Sequence, residues 1–163
     1  MRDDAARLRE AFRLAEQSVA HGDYGFGALL VGADGQVLLG TEQTVVRTGD
    51  WLGHAELVLL HEAAARWTRA ELAGATIYSS TEPCPMCTGA IGWSLNRLVF
   101  GLSQAEMYRR FTVAGSSPRF VEPWSCRRLL EQVAPPMEVV GPLLEDEAAV
   151  AHERWMQLHP AGA

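Results

Sequence analysis

The chain contains no lysine: all 14 of its positive charges are arginines. That absence excludes Schiff-base chemistry of the pyridoxal phosphate or aldolase kind, which needs an amine nucleophile. It also excludes a Walker-type phosphate loop, whose lysine reaches the phosphates. Cysteine is scarce, with three in 163 residues, an odd number too small for a disulfide scaffold. Long apolar runs are missing as well, since no stretch approaches the roughly 18 consecutive apolar residues of a membrane span. Met1–Glu10 is charged and lacks the apolar core of a secretory signal. We therefore expect a cytoplasmic, reducing setting, no membrane partner, and cysteines that act as thiols or metal ligands. Negative charge dominates, with a formal net charge of −6 and a pI near 5.3. This balance argues against a broad nucleic-acid or anionic-membrane surface, because such binding is driven by cationic contacts to phosphate. A local arginine patch is the exception it leaves open.

What is present is an ordinary core-forming composition, 48% hydrophobic, at a length that suits one domain spanning 1–163. Leu8, Phe12, Ala15 and Val19 recur at helical spacing, so residues 3–20 are expected to form a helix, capped by Asp3 or Asp4. Two apolar runs, Phe26–Gly32 and Gln36–Gly40, flank Asp34-Gly35 and read as a hairpin. The polar stretch Thr41–Gly53 reads as irregular. A helix is expected over 54–67, apolar on most faces and therefore buried on several sides. The alternation continues with a strand at 75–80, a helix at 84–95, a strand at 97–102, and a short helix at 104–110. Residues 111–124 read as a loop, followed by a helix at 125–133, a strand at 138–143 and a terminal helix at 145–158. This order predicts an α/β fold, a three-layer α/β/α sandwich around a mixed five-stranded sheet.

Two short motifs carry the chemistry. His54-Ala55-Glu56 opens the helix at 54–67, and Pro83-Cys84-Pro85-Met86-Cys87 opens the helix at 84–95. Chance alone yields His-x-Glu about 0.4 times in a chain of this composition, but Pro-Cys-x-x-Cys only about 0.002 times. Cysteines at i and i+3 in a first helical turn point the same way, and the positive helix terminus favours their thiolates. An imidazole from a second helix start supplies a third ligand for a zinc ion. Three protein ligands leave the fourth tetrahedral position to water, the arrangement of a catalytic zinc. Glu56, two residues beyond His54, projects away from the ligand direction and is a candidate proton shuttle.

His-x-Glu followed by Pro-Cys-x-x-Cys is the signature of zinc deaminases, and the chain resembles the cytidine-deaminase-like superfamily from about Phe12 onward. Within it the resemblance is greatest to bacterial guanine deaminases and their free-base relatives. Phe26-Gly27-Ala28 resembles their entry strand, Asp50 sits four residues before the ligand histidine, and Thr81–Cys87 resembles their zinc loop. Gly89–Trp93 resembles the helix that follows it. Two features depart from the pattern. An Asn pair usual after the second strand is replaced by Thr41-Glu42-Gln43-Thr44, and the Asp that reads guanine has no clear counterpart in Phe111–Phe120.

The resemblance implies a hydrolytic deaminase of a small amino-heterocycle, a free nucleobase or analogue, releasing ammonia. His54, Cys84 and Cys87 are then the zinc ligands, and Glu56 moves protons between water, ring and leaving amine. Phe26 and Trp93 are expected to stack on the ring, and Gln43 or Glu42 to read its edge. Ala55 belongs to the same site. A backbone carbonyl near Thr81–Glu82 orients the amine, Trp51 is a candidate gate, and the terminal helix around Trp155 closes over the pocket. The resemblance also implies a homodimer. Deamination of adenosine in tRNA is the alternative substrate. Outside catalysis, the alternatives are a zinc module without turnover and a dithiol redox pair, which leaves His54 and Glu56 without a role. Phe26 and Trp93 can also be read as ordinary core. His61, about 10 Å along its helix from His54, is too far to share the metal. Cys126 reads as a free, partly buried thiol, and His21, His152 and His159 as solvated residues at helix ends.

Overall fold

The computed structural model describes residues 3–111 and 125–160. Helix α1 (Asp4–Ala20) begins at its expected cap, where the Asp3 carboxylate accepts the Ala6 backbone N–H at 3.0 Å. Leu8, Ala11, Phe12, Ala15 and Val19 form its buried stripe. Strands β1 (Gly27–Val31) and β2 (Val37–Glu42) make the antiparallel hairpin, turning at Gly35 with φ +85°. That left-handed conformation is open to glycine at no steric cost.

Strand β1 also pairs antiparallel with β3 (Thr76–Thr81), and β3 pairs parallel with β4 (Arg97–Leu102). The short β5 (Glu138–Val140) completes a five-stranded mixed sheet in the order β2-β1-β3-β4-β5. Every residue of β3 and β4 is buried, as expected for central strands covered on both faces. One face packs Leu30, Ile77, Leu98 and Phe100 against Leu59 and Ala63 of α3 (Ala55–Arg66) and Ile91 of α4 (Pro85–Ser94). The other packs Leu29, Tyr78, Val99 and Leu102 against α1 and Ala148 of α7 (Glu145–Leu158). The expected three-layer sandwich is the observed one.

Several boundaries differ, each for a physical reason. The stretch 41–53 contains a one-turn helix, α2 (Val45–Thr48). Its free N–H groups are taken by the buried carboxylate of Asp23, whose Oδ1 accepts from Val46 at 2.6 Å and Arg47 at 3.2 Å. A cap supplied from so far upstream leaves no local signature. Strand β5 stops at Val140, ahead of Pro142, which has no N–H for a ladder. Helix α5 (Gln104–Phe111) runs one residue past the expected end, and α6 (Cys126–Leu130) is shorter than expected. Residues 112–124 of the expected loop lie outside the described residues. Helix α3 is buried along one face only: His61, Ala64, Ala65 and Arg66 are exposed. The sheet and α4 cover one side of it, and Leu57, Val58 and Leu60 line an open groove of about 570 Å³ with Leu52 and Ala90.

The tightest helix-to-sheet approach is at Gly27, where a Cβ would lie 2.5 Å from both the Ala11 carbonyl oxygen and the Ala15 nitrogen. Both are backbone atoms and cannot swing aside. Gly27→Ala is expected to lower stability by roughly 3 kcal/mol through overpacking, read as a fall in the denaturant midpoint. Gly22→Ala, where nothing stands within 4 Å of the added carbon, tests strain at φ +88° alone and is expected to cost about 1 kcal/mol.

Candidate metal centre and pocket

Two helices begin side by side. His54 is the N-cap residue of α3 and Cys84 that of α4, both with extended backbone, and neither side chain caps its own helix. Pro85 takes the first helical position of α4, where its missing N–H costs nothing. Cys87 follows one turn in, buried.

The three donor atoms form a near-equilateral triangle. His54 Nδ1 lies 3.7 Å from Cys84 Sγ and 3.6 Å from Cys87 Sγ, and the two sulfurs are 3.6 Å apart. With Zn–S near 2.3 Å and Zn–N near 2.0–2.1 Å, the edges of a tetrahedron are about 3.8 Å for S···S and about 3.6 Å for S···N. The side chains therefore stand where a tetrahedral zinc requires them, with one vertex left over. Among the described residues this is the one His/Cys/Asp/Glu group close enough to hold a metal ion.

The electrostatics agree. The Cys84 thiol is lowered to about 4, first by the hydrogen bond from the Cys87 thiol and then by His54. Cys87 is pushed up, because its proton is held against the Cys84 sulfur and because it is buried. Without a cation the pair thus keeps one proton; a dication lets both sulfurs ionise.

Glu56 sits in the first turn of α3, buried, and burial raises its carboxyl above the ordinary range. Ser79 on β3 places its hydroxyl 2.7 Å from Glu56 Oε1 and 2.6 Å from the Thr81 carbonyl oxygen. Thr81 Oγ1 in turn lies 2.9 Å from His152 Nε2 on α7. A row of polar groups thus runs from Glu56 through the Ser79 hydroxyl to the Thr81 carbonyl, and from the Thr81 hydroxyl to His152. His152 is not a solvated helix-end residue but 7% exposed. It continues the buried stripe Ala148, Ala149, Ala151, whose small side chains let α7 pack close. Burial lowers its pKa to about 4. His21 and His159 are exposed, against Glu42 and Trp155 respectively.

The other sequence candidates separate. Phe26 is half-buried at the start of the hairpin, edge-on to His152 at 4.8 Å. Gln43 is buried, one alternation on from Thr41, whose hydroxyl donates to the carbonyl of Ala55 at the start of α3. Glu42 points to the opposite face, where His21 Nδ1 lies 2.8 Å from its carboxylate and Arg47 donates to it at 3.0 Å. Glu82 is buried and acts as a brace. Its carboxylate accepts the backbone N–H groups of Gln104 at 3.0 Å and Cys126 at 2.9 Å, the first residues of α5 and α6. Trp51 is 85% exposed beside the metal helices. Trp93 is 78% exposed at the far end of α4, with the Arg69 guanidinium over its ring, and it lines a groove of about 440 Å³ between α4 and α6. Trp155 packs on Tyr24 and stacks on His159. Cys126 is a free thiol, fully buried, its pKa pushed up by that burial. The sequence reading misses Ser79, takes Thr81 only for a nearby backbone carbonyl, and places His152 in solvent. Their signal was polar residues inside an otherwise apolar strand end, and a histidine in register with a run of alanines.

Residues 1–102 match the cytidine and deoxycytidylate deaminase zinc-binding region. The chain is 36% identical over 151 residues to a probable cytosine deaminase of Schizosaccharomyces pombe, covering 92% of this chain and 90% of that one. Shorter matches reach two Bacillus subtilis proteins. A guanine deaminase is 36% identical over 57% of this chain and 60% of its own length, and a tRNA-specific adenosine deaminase is 32% identical over 62% and 63%. Among solved structures, NE0047 in complex with 2,6-diaminopurine superposes over all of this chain and 86% of its own, with TM-score 0.80 and 24% identity, which shows the shared fold.

Elemental analysis of protein purified without chelator is expected to give about one zinc per chain. Cys84→Ala and Cys87→Ala should each bring this below about a tenth, because two remaining donors hold zinc weakly. Full zinc content in either variant places the metal elsewhere.

Proposed function

Because the chain belongs to the cytidine and deoxycytidylate deaminase zinc-binding family, we propose that it hydrolyses a small amino-heterocycle, a free nucleobase or close analogue, to the oxo compound and ammonia. The observation that carries this reading is the His54–Cys84–Cys87 triangle, three donors for a four-coordinate ion, beside a buried carboxyl that is not one of the three. Zinc bound there acidifies a water and so supplies the nucleophile near neutral pH.

The residues do the rest. Glu56 takes one proton from the attacking water as the new C–O bond forms and passes it to the ring nitrogen. The same carboxylate then takes the remaining proton of that oxygen and passes it to the amine, which leaves as ammonia as the C–N bond breaks. It must therefore be content both ionised and protonated. Ser79 has a single hydroxyl proton and two acceptors in reach. With Glu56 ionised, the hydroxyl donates to Oε1. With Glu56 protonated, the carboxyl donates to Ser79 Oγ and the hydroxyl turns to the Thr81 carbonyl. Glu56 is then hydrogen-bonded to Ser79 in both states. Phe26 stacks on the ring, and buried Gln43 reads its edge with Ala55. Glu42 is held by His21 and Arg47, which favours Gln43 over it.

A free base is favoured over adenosine in tRNA by the net charge of −6 without a lysine, a poor match for a polyanion. The S. pombe and B. subtilis relatives put cytosine and guanine first among the candidates. Exposed Trp51, Leu52 and Met86, with the groove along α3 and α4, form an apolar face that a second copy covers in the proposed homodimer. No helix among the described residues is long and apolar enough to cross a membrane, in keeping with a cytoplasmic enzyme.

Ammonia release is measured from cytosine, guanine, adenine, isocytosine, aminotriazines, pterins, their nucleosides, and tRNA. Turnover of at least one free base is expected; turnover of tRNA alone overturns the substrate class, and none at all overturns the enzyme. Glu56→Gln should keep zinc and lose about 10²–10⁴-fold in kcat, and near-native turnover removes Glu56 from this role. Ser79→Ala should cost roughly tenfold in kcat with KM little changed, the scale of one hydrogen bond to a charged group.

A further inference from the structure

We propose that His152 is a specificity-determining residue that contacts the edge of the bound heterocycle through Nδ1; this rests on the nucleobase reading above. An imidazole has two nitrogens. In His152, Nε2 is taken by Thr81 Oγ1, while Nδ1 has no hydrogen-bond partner among the described residues. The ring is 7% exposed and packed against Phe26 and Phe111. Nδ1 is therefore the nitrogen of this enclosed ring that Thr81 does not use. An unmet polar atom in such surroundings is costly unless a ligand or water meets it.

The surroundings specify the ligand. Phe26 meets the His152 ring edge-on at 4.8 Å and Phe111 lies tilted at 5.3 Å, so the nitrogen sits between aromatic walls suited to a flat ring. The ring stays neutral near pH 7, because burial lowers its pKa to about 4, and a neutral imidazole offers one donor and one acceptor. That matches an uncharged heterocycle with a ring nitrogen or carbonyl, not a phosphate. Thr81 lies at the end of β3, three residues before Cys84, and β3 is parallel to β4. Ligands of open α/β sheets bind beyond the carboxyl ends of such strands. The polar line from Glu56 ends on this same ring.

Two substitutions separate the nitrogens. Glutamine carries its amide near the position of Nε2 and asparagine near that of Nδ1. His152→Gln therefore keeps the Thr81 contact and loses the proposed one, while His152→Asn does the reverse. Both are made in the zinc-loaded Glu56→Gln protein, and binding of cytosine and of guanine is measured by calorimetry, so the result does not depend on turnover. The expected result is a Kd for the bound base raised about tenfold or more in His152→Gln, restored to within about threefold in His152→Asn, with melting temperatures little changed. Unchanged affinity in His152→Gln overturns the proposal. So does loss in His152→Asn, which makes the ring a support for Thr81 only. Failure of the parent to bind either base, with no ammonia from the wild-type panel, overturns the nucleobase reading instead and the proposal with it.

Discussion

A tetrahedral metal site built from one imidazole and two thiols needs its three donor atoms within about 4 Å of each other, and that requirement governs the layout of the chain. Two helices must begin side by side, each with an N-cap residue whose side chain is spared from capping. The sheet provides this. Its β2–α3 and β3–α4 connections open on the same end of the sheet, and β1 between β2 and β3 sets the spacing of the two helix starts. The helix termini then add their own field: partial positive charge at the start of α4 favours the thiolates. The apolar cluster of Leu30, Leu59, Ala63, Ile77, Ile91 and Phe100 keeps both helices seated, so the donor triangle is held by hydrophobic burial far from the donors themselves.

The polar groups near this centre are few, and nearly every one has a partner. Glu56, Ser79, Thr81 and His152 are buried and joined by contacts of 2.6–2.9 Å. In a low-dielectric interior such a line is costly to break and positions its members narrowly. It also joins both layers of helices: Glu56 belongs to α3 on one face of the sheet and His152 to α7 on the other. The two faces meet at Thr81, the last residue of β3.

Much of this was legible in the chain, unevenly. The metal ligands were readable because their geometry is local: Cys84 and Cys87 share one helical turn, and His54 opens a helix of its own. The layers followed from alternating apolar runs. What escaped was decided by distant partners. Helix α2 exists because the Asp23 carboxylate meets its first N–H groups. His152 is buried because the alanines of α7 let that helix approach α1 and β4. Glu42 and Gln43, adjacent and both polar, are told apart only by distant partners: His21 and Arg47 hold Glu42, while Gln43 is buried. Trp93 is seven residues past Met86 on the same helix, and periodicity places it on a face without saying what stands opposite; Arg69 does.

The brace made by Glu82 ties together parts of the chain that are far apart in sequence. Because one carboxylate receives the first N–H of α5 and the first N–H of α6, positions 104 and 126 are moored to a residue two before Cys84. The chain between them departs from and returns to the same anion. The starts of α5 and α6 are thus fixed by a residue of the metal loop. Loss of that one carboxylate strands two buried N–H groups at once, on two separate helices. Position 82 is therefore a junction, where a single substitution reaches the metal loop and both helix starts together.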